Sequence, residues 1–265
     1  MSVLFYHRVA DEHPNDWTIS TQQFERHVDH CRRHCELVSL DEVQRRVASG
    51  RNDRPTVTFT FDDGYAENCR FALPLLIRHR VPTVYFVATQ NVIKQRPFPH
   101  DKQAGMALPV NTPEEIVAAA DGGIEIGLHT RTHPDFSAIT DIDQVRREII
   151  EGKFELEDMI GRPVRYFAVP YGMPAQLTRA VIQVTREAGL AGFCSAFGAY
   201  NLPGRDPFHI RRIHGDPQFC RLQNWLSFDS RKLKHEPEIQ VDSVVESTPP
   251  DAPSHPSSPS IECAP

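Results

Sequence analysis

An α/β fold with a largely parallel sheet is predicted by two features of this sequence. Short β-rich runs alternate with helical patterns, and each run ends near residues of polar or turn chemistry. At 265 residues and 40% hydrophobic, the chain is long enough to bury one sizeable core. The expected strands are Val3–Tyr6, Thr56–Thr60, Thr83–Ala88, Ile124–Leu128, Val164–Val169 and Ala191–Ser195.

The helices are expected between them. Thr21–Cys35 follows Ser20, which suits an N-cap, and Asp41–Ser49 ends before Gly50. Ala66–Arg80 is amphipathic, with a kink expected at Pro74. Asp141–Ile160 carries Ile142, Val145 and Ile149 at helical spacing and stops at Gly161. Pro174–Ala188 stops at Gly189, with Pro174 in its first turn. Gln90–Pro113 has no clear period and contains four prolines, so it is expected as a long loop on the active face. Residues 1–230 form one domain in this reading. Residues 231–265, with the run Ser247-Thr248-Pro249-Pro250, form a Pro/Ser-rich disordered tail.

Composition narrows the function classes. A net charge of −6 argues against a broad nucleic-acid surface. No apolar run reaches the roughly 18–20 residues that span a bilayer. The start, Met1-Ser2-Val3-Leu4-Phe5-Tyr6-His7-Arg8, lacks the pattern of an export signal, so a cytoplasmic location is expected. Six cysteines form no CxxC pair, which fits buried free thiols in a reducing compartment. Nothing in the sequence specifies the oligomeric state.

Three strand ends carry chemistry. Thr58-Phe59-Thr60-Phe61-Asp62-Asp63-Gly64 delivers two adjacent carboxylates from a buried strand and breaks at glycine. Ligands of α/β sheets bind at such carboxyl ends. Adjacent carboxylates repel unless a cation or proton separates them, so one suits a metal and the other stays free to accept a proton. Alone, the segment also reads as an ordinary turn. Ile126-Gly127-Leu128-His129-Thr130-Arg131-Thr132-His133-Pro134 places two histidines four apart after another strand. It is not a zincin helix, since no Glu follows His129 and Pro134 disfavours helical geometry at His133. The rings converge only if the turn folds back. Two imidazoles and a carboxylate would leave an open position for water, as in catalytic zinc sites. The third segment is Phe167-Ala168-Val169-Pro170-Tyr171-Gly172.

Together these segments resemble the polysaccharide deacetylases of carbohydrate esterase family four, the NodB homology domain. The resemblance spans roughly residues 1–220. It implies a distorted (β/α) barrel of about seven strands, a divalent metal, most often Zn2+, and hydrolysis of N-acetyl groups on an amino-sugar polysaccharide or glycan precursor. Position by position, it makes Asp62 the general base and Asp63, His129 and His133 the metal ligands. The Pro170-Tyr171 segment meets the substrate, with the Tyr171 N–H at the oxyanion. Val3-Leu4-Phe5-Tyr6-His7-Arg8-Val9 resembles the N-terminal Tyr-His motif of the poly-N-acetylglucosamine deacetylases, whose motif order is permuted. That makes His7 the acid for the leaving amine, with His214 as the rival.

One position departs from the pattern. The family often has an arginine two residues before the proline of the third motif, and here that residue is Ala168. Arg212, or less favourably Arg211, is expected to reach the base instead, by a bidentate contact. Two other readings stay open: an amidohydrolase of a small non-sugar amide, and a non-catalytic carbohydrate-binding relative.

Overall fold

The computed structural model describes residues 1–234, 236, 237 and 239. The strands are β1 (Ser2–Tyr6), β2 (Arg8–Val9), β3 (Thr18–Ile19), β4 (Glu36–Leu37), β5 (Thr56–Phe61), β6 (Thr83–Val87), β7 (Glu125–Leu128), β8 (Tyr166–Ala168), β9 (Gly192–Cys194), β10 (His209–Ile210) and β11 (Ile213–His214). The helices are α1 (Thr21–His34), α2 (Leu40–Ser49), α3 (Ala72–Arg78), α4 (Thr89–Ile93), α5 (Pro99–Gln103), α6 (Pro113–Asp121), α7 (Ile142–Arg146), α8 (Gly152–Ile160), α9 (Arg179–Glu187) and α10 (Phe219–Leu226). All six expected strands are present within one or two residues of their expected bounds.

Nine strands form one sheet in the order β10-β9-β8-β7-β6-β5-β1-β11, with β4 beside the start of β5. Every pairing in it is parallel. The two edge strands, β10 and β11, are separated in sequence only by Arg211 and Arg212. Three Cα steps of 3.80 Å span at most about 11 Å. The sheet therefore curls until its edges nearly meet, a distorted barrel whose gap is crossed by the segment Arg211-Arg212. β2 and β3 form a separate small pair.

Strand alternation divides the packing. Leu4, Tyr6, Phe59, Phe61, Tyr85, Ile126, Leu128, Phe167 and Phe193 join apolar residues of α1, α3, α6, α8 and α9 in the main core. Val3, Val84, Phe86, Tyr166, Ala168, Cys194 and Ile210 form a second cluster with Leu40, Val43 and Val47 of α2. On this second face Gly127 lies against the Phe86 ring; a Cβ there would meet Phe86 Cδ1 at 2.4 Å. Only glycine lets β7 pass Phe86 on the way to His129.

Local sequence chemistry sets the helix ends. Ser20 and Gln23 form a capping box at α1, and Ser39 caps α2. The expected helix Ala66–Arg80 is split instead. Ala66–Cys69 is a 3₁₀ turn, and α3 starts afresh at Ala72. Pro74 thus falls in a first turn, where its missing N–H has no helical partner to lose. The helix expected from Pro174 begins at Arg179, because the Thr178 side chain caps the Val181 N–H. The expected loop Gln90–Pro113 contains α5 and most of α4, each only five residues long and too short to show a period. The expected helix Asp141–Ile160 is continuous from Ile142, with Asp141 as its N-cap, but passes through a π turn, Arg147–Glu151.

Beyond residue 230 the chain continues as a 3₁₀ turn, Ser230–Leu233. The tail expected from 231 onward lies mostly outside the described residues. No helix among the described residues is long and apolar enough to cross a membrane. Five described cysteines are free thiols, with Cys31 and Cys194 buried.

Candidate active site

The carboxyl ends of β1, β5, β7 and β8 converge on a cavity of about 470 Å³, whose walls include Phe5, His7, Trp17, Asp62, Asp63, His100, His129, His133, Val169, Tyr171, Met173 and His214. Pro170 lies buried in the same turn, between two wall residues. The structure thus gathers His7, Asp62, Asp63, His129, His133, Tyr171 and His214 at one end of the barrel.

Asp63 follows β5 with φ of +77°, while Thr130, His133 and Tyr171 have φ of +66°, +59° and +60°. Left-handed backbone at non-glycine residues costs on the order of 1–3 kcal/mol each and persists only where the surroundings enforce it. Here it folds the turn after β7 back on itself, so that both imidazoles face one carboxylate oxygen. His129 Nε2 is 3.4 Å and His133 Nε2 is 3.3 Å from Asp63 Oδ1. One ligand atom from each residue lies within 4.8 Å of the others.

This cradle fits a divalent cation. Two donors about 2.1 Å from a common ion at the tetrahedral angle stand about 3.4 Å apart. His129 Nδ1 is 2.8 Å from the Ala168 carbonyl oxygen, so that nitrogen carries the proton and Nε2 turns a lone pair toward Asp63. Asp63 Oδ1 is buried without a hydrogen-bond partner. Opposed lone pairs at these distances require positive charge between them. Burial works to raise the Asp63 carboxyl, while positive charge on the facing imidazoles, or between them and Oδ1, holds it well below the usual carboxylate range.

Asp62 is held differently. Arg212 reaches from the gap between β10 and β11 and donates Nη1 to Asp62 Oδ1 at 2.7 Å and Nη2 to Oδ2 at 2.8 Å. Its Nε donates to the Ser195 carbonyl at 2.8 Å, Nη1 also meets Thr60 Oγ1 at 3.2 Å, and the guanidinium lies over the Phe5 and Phe86 rings. Both side chains are almost wholly enclosed. Burial opposes ionisation of Asp62, yet the charge of Arg212 keeps its carboxyl below the usual value. Arg211 points elsewhere, pairing with Glu236.

His7 follows β1, with its ring 4.8 Å from Trp17 and 6.5 Å from His214. Its Nδ1 is buried without a partner. Burial pushes its pKa down to about 4, against the attraction of Asp63 and Asp62. His214 is shifted down by burial as well. Trp17 and Tyr171 stand at the rim, about half exposed, and Met173 is exposed beside Tyr171. His100 of α5 stacks on Phe98 and meets Tyr65 Oη at 3.2 Å. The sequence offered no motif around Trp17 or His100; each is a single residue in an aperiodic segment.

A curled parallel sheet carrying an open Asp-His-His cradle beside an Arg-clamped carboxylate defines a class of metal-dependent barrel. The polysaccharide deacetylase family model matches residues 49–193 of this chain, so the chain belongs to the polysaccharide deacetylase family. Members are metal-dependent deacetylases. Chitooligosaccharide deacetylases of Bradyrhizobium sp. (strain ANU 289) and Sinorhizobium fredii are 29% and 30% identical over 158 and 159 residues. Those matches cover 59% and 58% of this chain and 62% and 63% of the relatives, so the chain spans less than two thirds of their length. IcaB from Ammonifex degensii superposes with a TM-score of 0.74 at 25% identity, covering 85% of this chain and 96% of that one. The Streptococcus pyogenes deacetylase PplD shares the fold, with a TM-score of 0.70 at 18% identity over 86% and 98% of the two chains. His7 and Arg212 lie outside the family-model match.

Proposed function

We propose that this chain hydrolyses N-acetyl groups of an amino-sugar polysaccharide or glycan precursor, using a divalent ion, Zn2+ by donor chemistry, held by Asp63, His129 and His133. The observation that carries the proposal is the buried Asp62 carboxylate, fixed bidentately by Arg212 beside that cradle. A bound divalent ion would polarise the amide oxygen and lower the pKa of water toward about 7.

The chain's own groups divide the remaining work. Asp62, ionised at neutral pH, takes the proton of the attacking water. Arg212 holds both carboxylate oxygens so that the base cannot swing. The backbone N–H of Tyr171 donates to the oxyanion as the carbonyl becomes tetrahedral. His7 protonates the departing nitrogen, the C–N bond breaks, and acetate and a free amine result. With a pKa of about 4, His7 is neutral at rest, so its proton arrives during turnover from the one taken by Asp62. His7 and His214 both line the cavity, and the resemblance to the N-terminal Tyr-His motif favours His7. Trp17 and Tyr171 offer flat apolar faces to a pyranose ring at the rim, and Pro170 shapes the turn that presents Tyr171. Names of the relatives support an acetylated glucosamine oligomer as substrate class.

Acetate release from N-acetylglucosamine oligomers tests this. Active Zn2+-loaded wild type beside inert, metal-binding Asp62→Asn supports the assignment. A metal-loaded wild type active only on small amides would reassign the substrate, and one inert on both would indicate a binding role.

A further inference from the structure

The turn that carries His129 and His133 is strained at both Thr130 and His133, and something must hold it. Part of the restraint is internal: Thr130 Oγ1 accepts from the His133 N–H at 2.9 Å. On one side, the N–H groups of Thr89 and Gln90 donate to the carbonyls of Thr130 and Arg131 at 3.2 and 2.8 Å. On the other side stands one carboxylate, Glu148, only 7% exposed. Its Oε2 accepts from the backbone N–H of Arg131 at 3.0 Å and of Thr132 at 2.8 Å, and its Oε1 from the Thr132 hydroxyl at 2.6 Å.

The helix is shaped to bring this carboxylate in. Glu148 sits in the π turn Arg147–Glu151, a widening of the helix that recurs at functional sites. One turn on, Gly152 lets the loop backbone lie directly on the helix; a Cβ there would meet the Arg131 nitrogen at 3.2 Å. Glu155, a further turn along, binds the Arg131 side chain, Thr89 and Gln90, and touches no backbone group of the turn.

We infer that Glu148 is a positioning residue for the metal ligands: it acts through the Arg131-Thr132 backbone to keep both imidazoles aimed at Asp63 before any ion arrives. This rests on the reading of Asp63, His129 and His133 as ligands of a divalent ion. Groups that orient ligands without touching the ion commonly govern affinity by about 10–100-fold. Glutamine in place of Glu148 keeps the shape but loses the charge: its amide nitrogen meets Thr132 only if the hydroxyl turns to accept, and the two backbone N–H bonds lose their charge assistance.

Calorimetric titration of metal-free protein with Co2+ tests the inference. Glu148→Gln is expected to bind Co2+ about 10–100-fold more weakly than wild type, with a native circular dichroism spectrum. Glu155→Gln, altered on the same helix face, is expected to stay within about 3-fold of wild type. Wild-type affinity in Glu148→Gln overturns the inference, as does an equal loss in Glu155→Gln, which would mark a general effect of helix docking. Should Glu148→Gln fail to fold, Thr132→Val removes one of the three bonds and is expected to weaken binding several-fold; unchanged affinity there overturns the inference too. A folded wild type that takes up no Co2+ overturns the metal reading itself, a different result from either.

Discussion

Replacing Arg212 with methionine keeps much of the side-chain volume but leaves the Asp62 carboxylate enclosed and unpaired. The cost can be bounded from the structure. Asp62 is 2% exposed and has its two oxygens on Arg212. Without that partner it escapes its desolvation by taking a proton. Protonating a carboxyl of ordinary pKa 3.8 at pH 7 costs about 4.4 kcal/mol, at about 1.36 kcal/mol per pH unit. The destabilisation at pH 7 is therefore capped near 4 kcal/mol for the lost charge, within the ~3–5 kcal/mol range for breaking buried pairs. The sign of the pH dependence follows. In wild type the depressed Asp62 pKa contributes stability above the unfolded value, lost as pH falls through the folded one. In Arg212→Met the folded pKa rises above 3.8, so the penalty shrinks on acidification, to about 1.6 kcal/mol at pH 5. Urea unfolding of metal-free protein at pH 7 and pH 5 reads both numbers. Acetate release should fall by roughly 10²–10⁴-fold at pH 7, because the base is protonated and unaimed. The double variant Asp62→Asn/Arg212→Met should recover most of the stability and none of the activity. Arg212→Met with wild-type stability and turnover at pH 7 would refute the clamp.

Other expectations follow from the same geometry. His7→Gln should lower kcat by about 10²–10⁴-fold with KM changed only a few-fold; a full effect from His214→Gln instead would transfer the acid role. Trp17→Ala should raise KM for glucosamine oligomers, with a loss in kcat/KM of about 5–30-fold and a smaller loss in Trp17→Phe; unchanged KM would remove Trp17 from the substrate path. His27 is fully buried, with Nδ1 3.1 Å from Tyr6 Oη and Nε2 unpartnered. Burial pushes its pKa down to about 4 from 6.5. The unfolded chain thus binds the extra proton between those values, and stability should fall on acidification from pH 6.5 to pH 4, by on the order of 3 kcal/mol. His27→Gln should flatten that limb in urea titrations, and an unchanged slope would contradict the burial argument.

The strands were legible because each is a short apolar run ending in turn chemistry, and β5 and β7 announce their loads, Asp62-Asp63 and His129-x-x-x-His133. The helix that holds Glu148 was also legible as a helix, from Ile142, Val145 and Ile149. Nothing in that period distinguishes a buried glutamate aimed at another segment from a solvated one, and the π turn has no compositional mark. Arg212 could be nominated only because Ala168 left the base without its usual partner, and the curl of the sheet supplies what spacing does not: β10 and β11 at opposite edges yet three residues apart. Trp17 and His100 reach the cavity through long-range packing of aperiodic segments, which local patterns do not encode. The breaks at Ala72 and Arg179 were missed because the amphipathic pattern continues across them.

The most direct test of the metal cradle is anomalous diffraction at the zinc edge from crystals grown with Zn2+. We expect one strong peak per chain about 2.0–2.2 Å from Asp63 Oδ1, His129 Nε2 and His133 Nε2, abolished in His129→Ala. A well-ordered crystal with no peak there, or with the imidazoles turned away from Asp63, would contradict it.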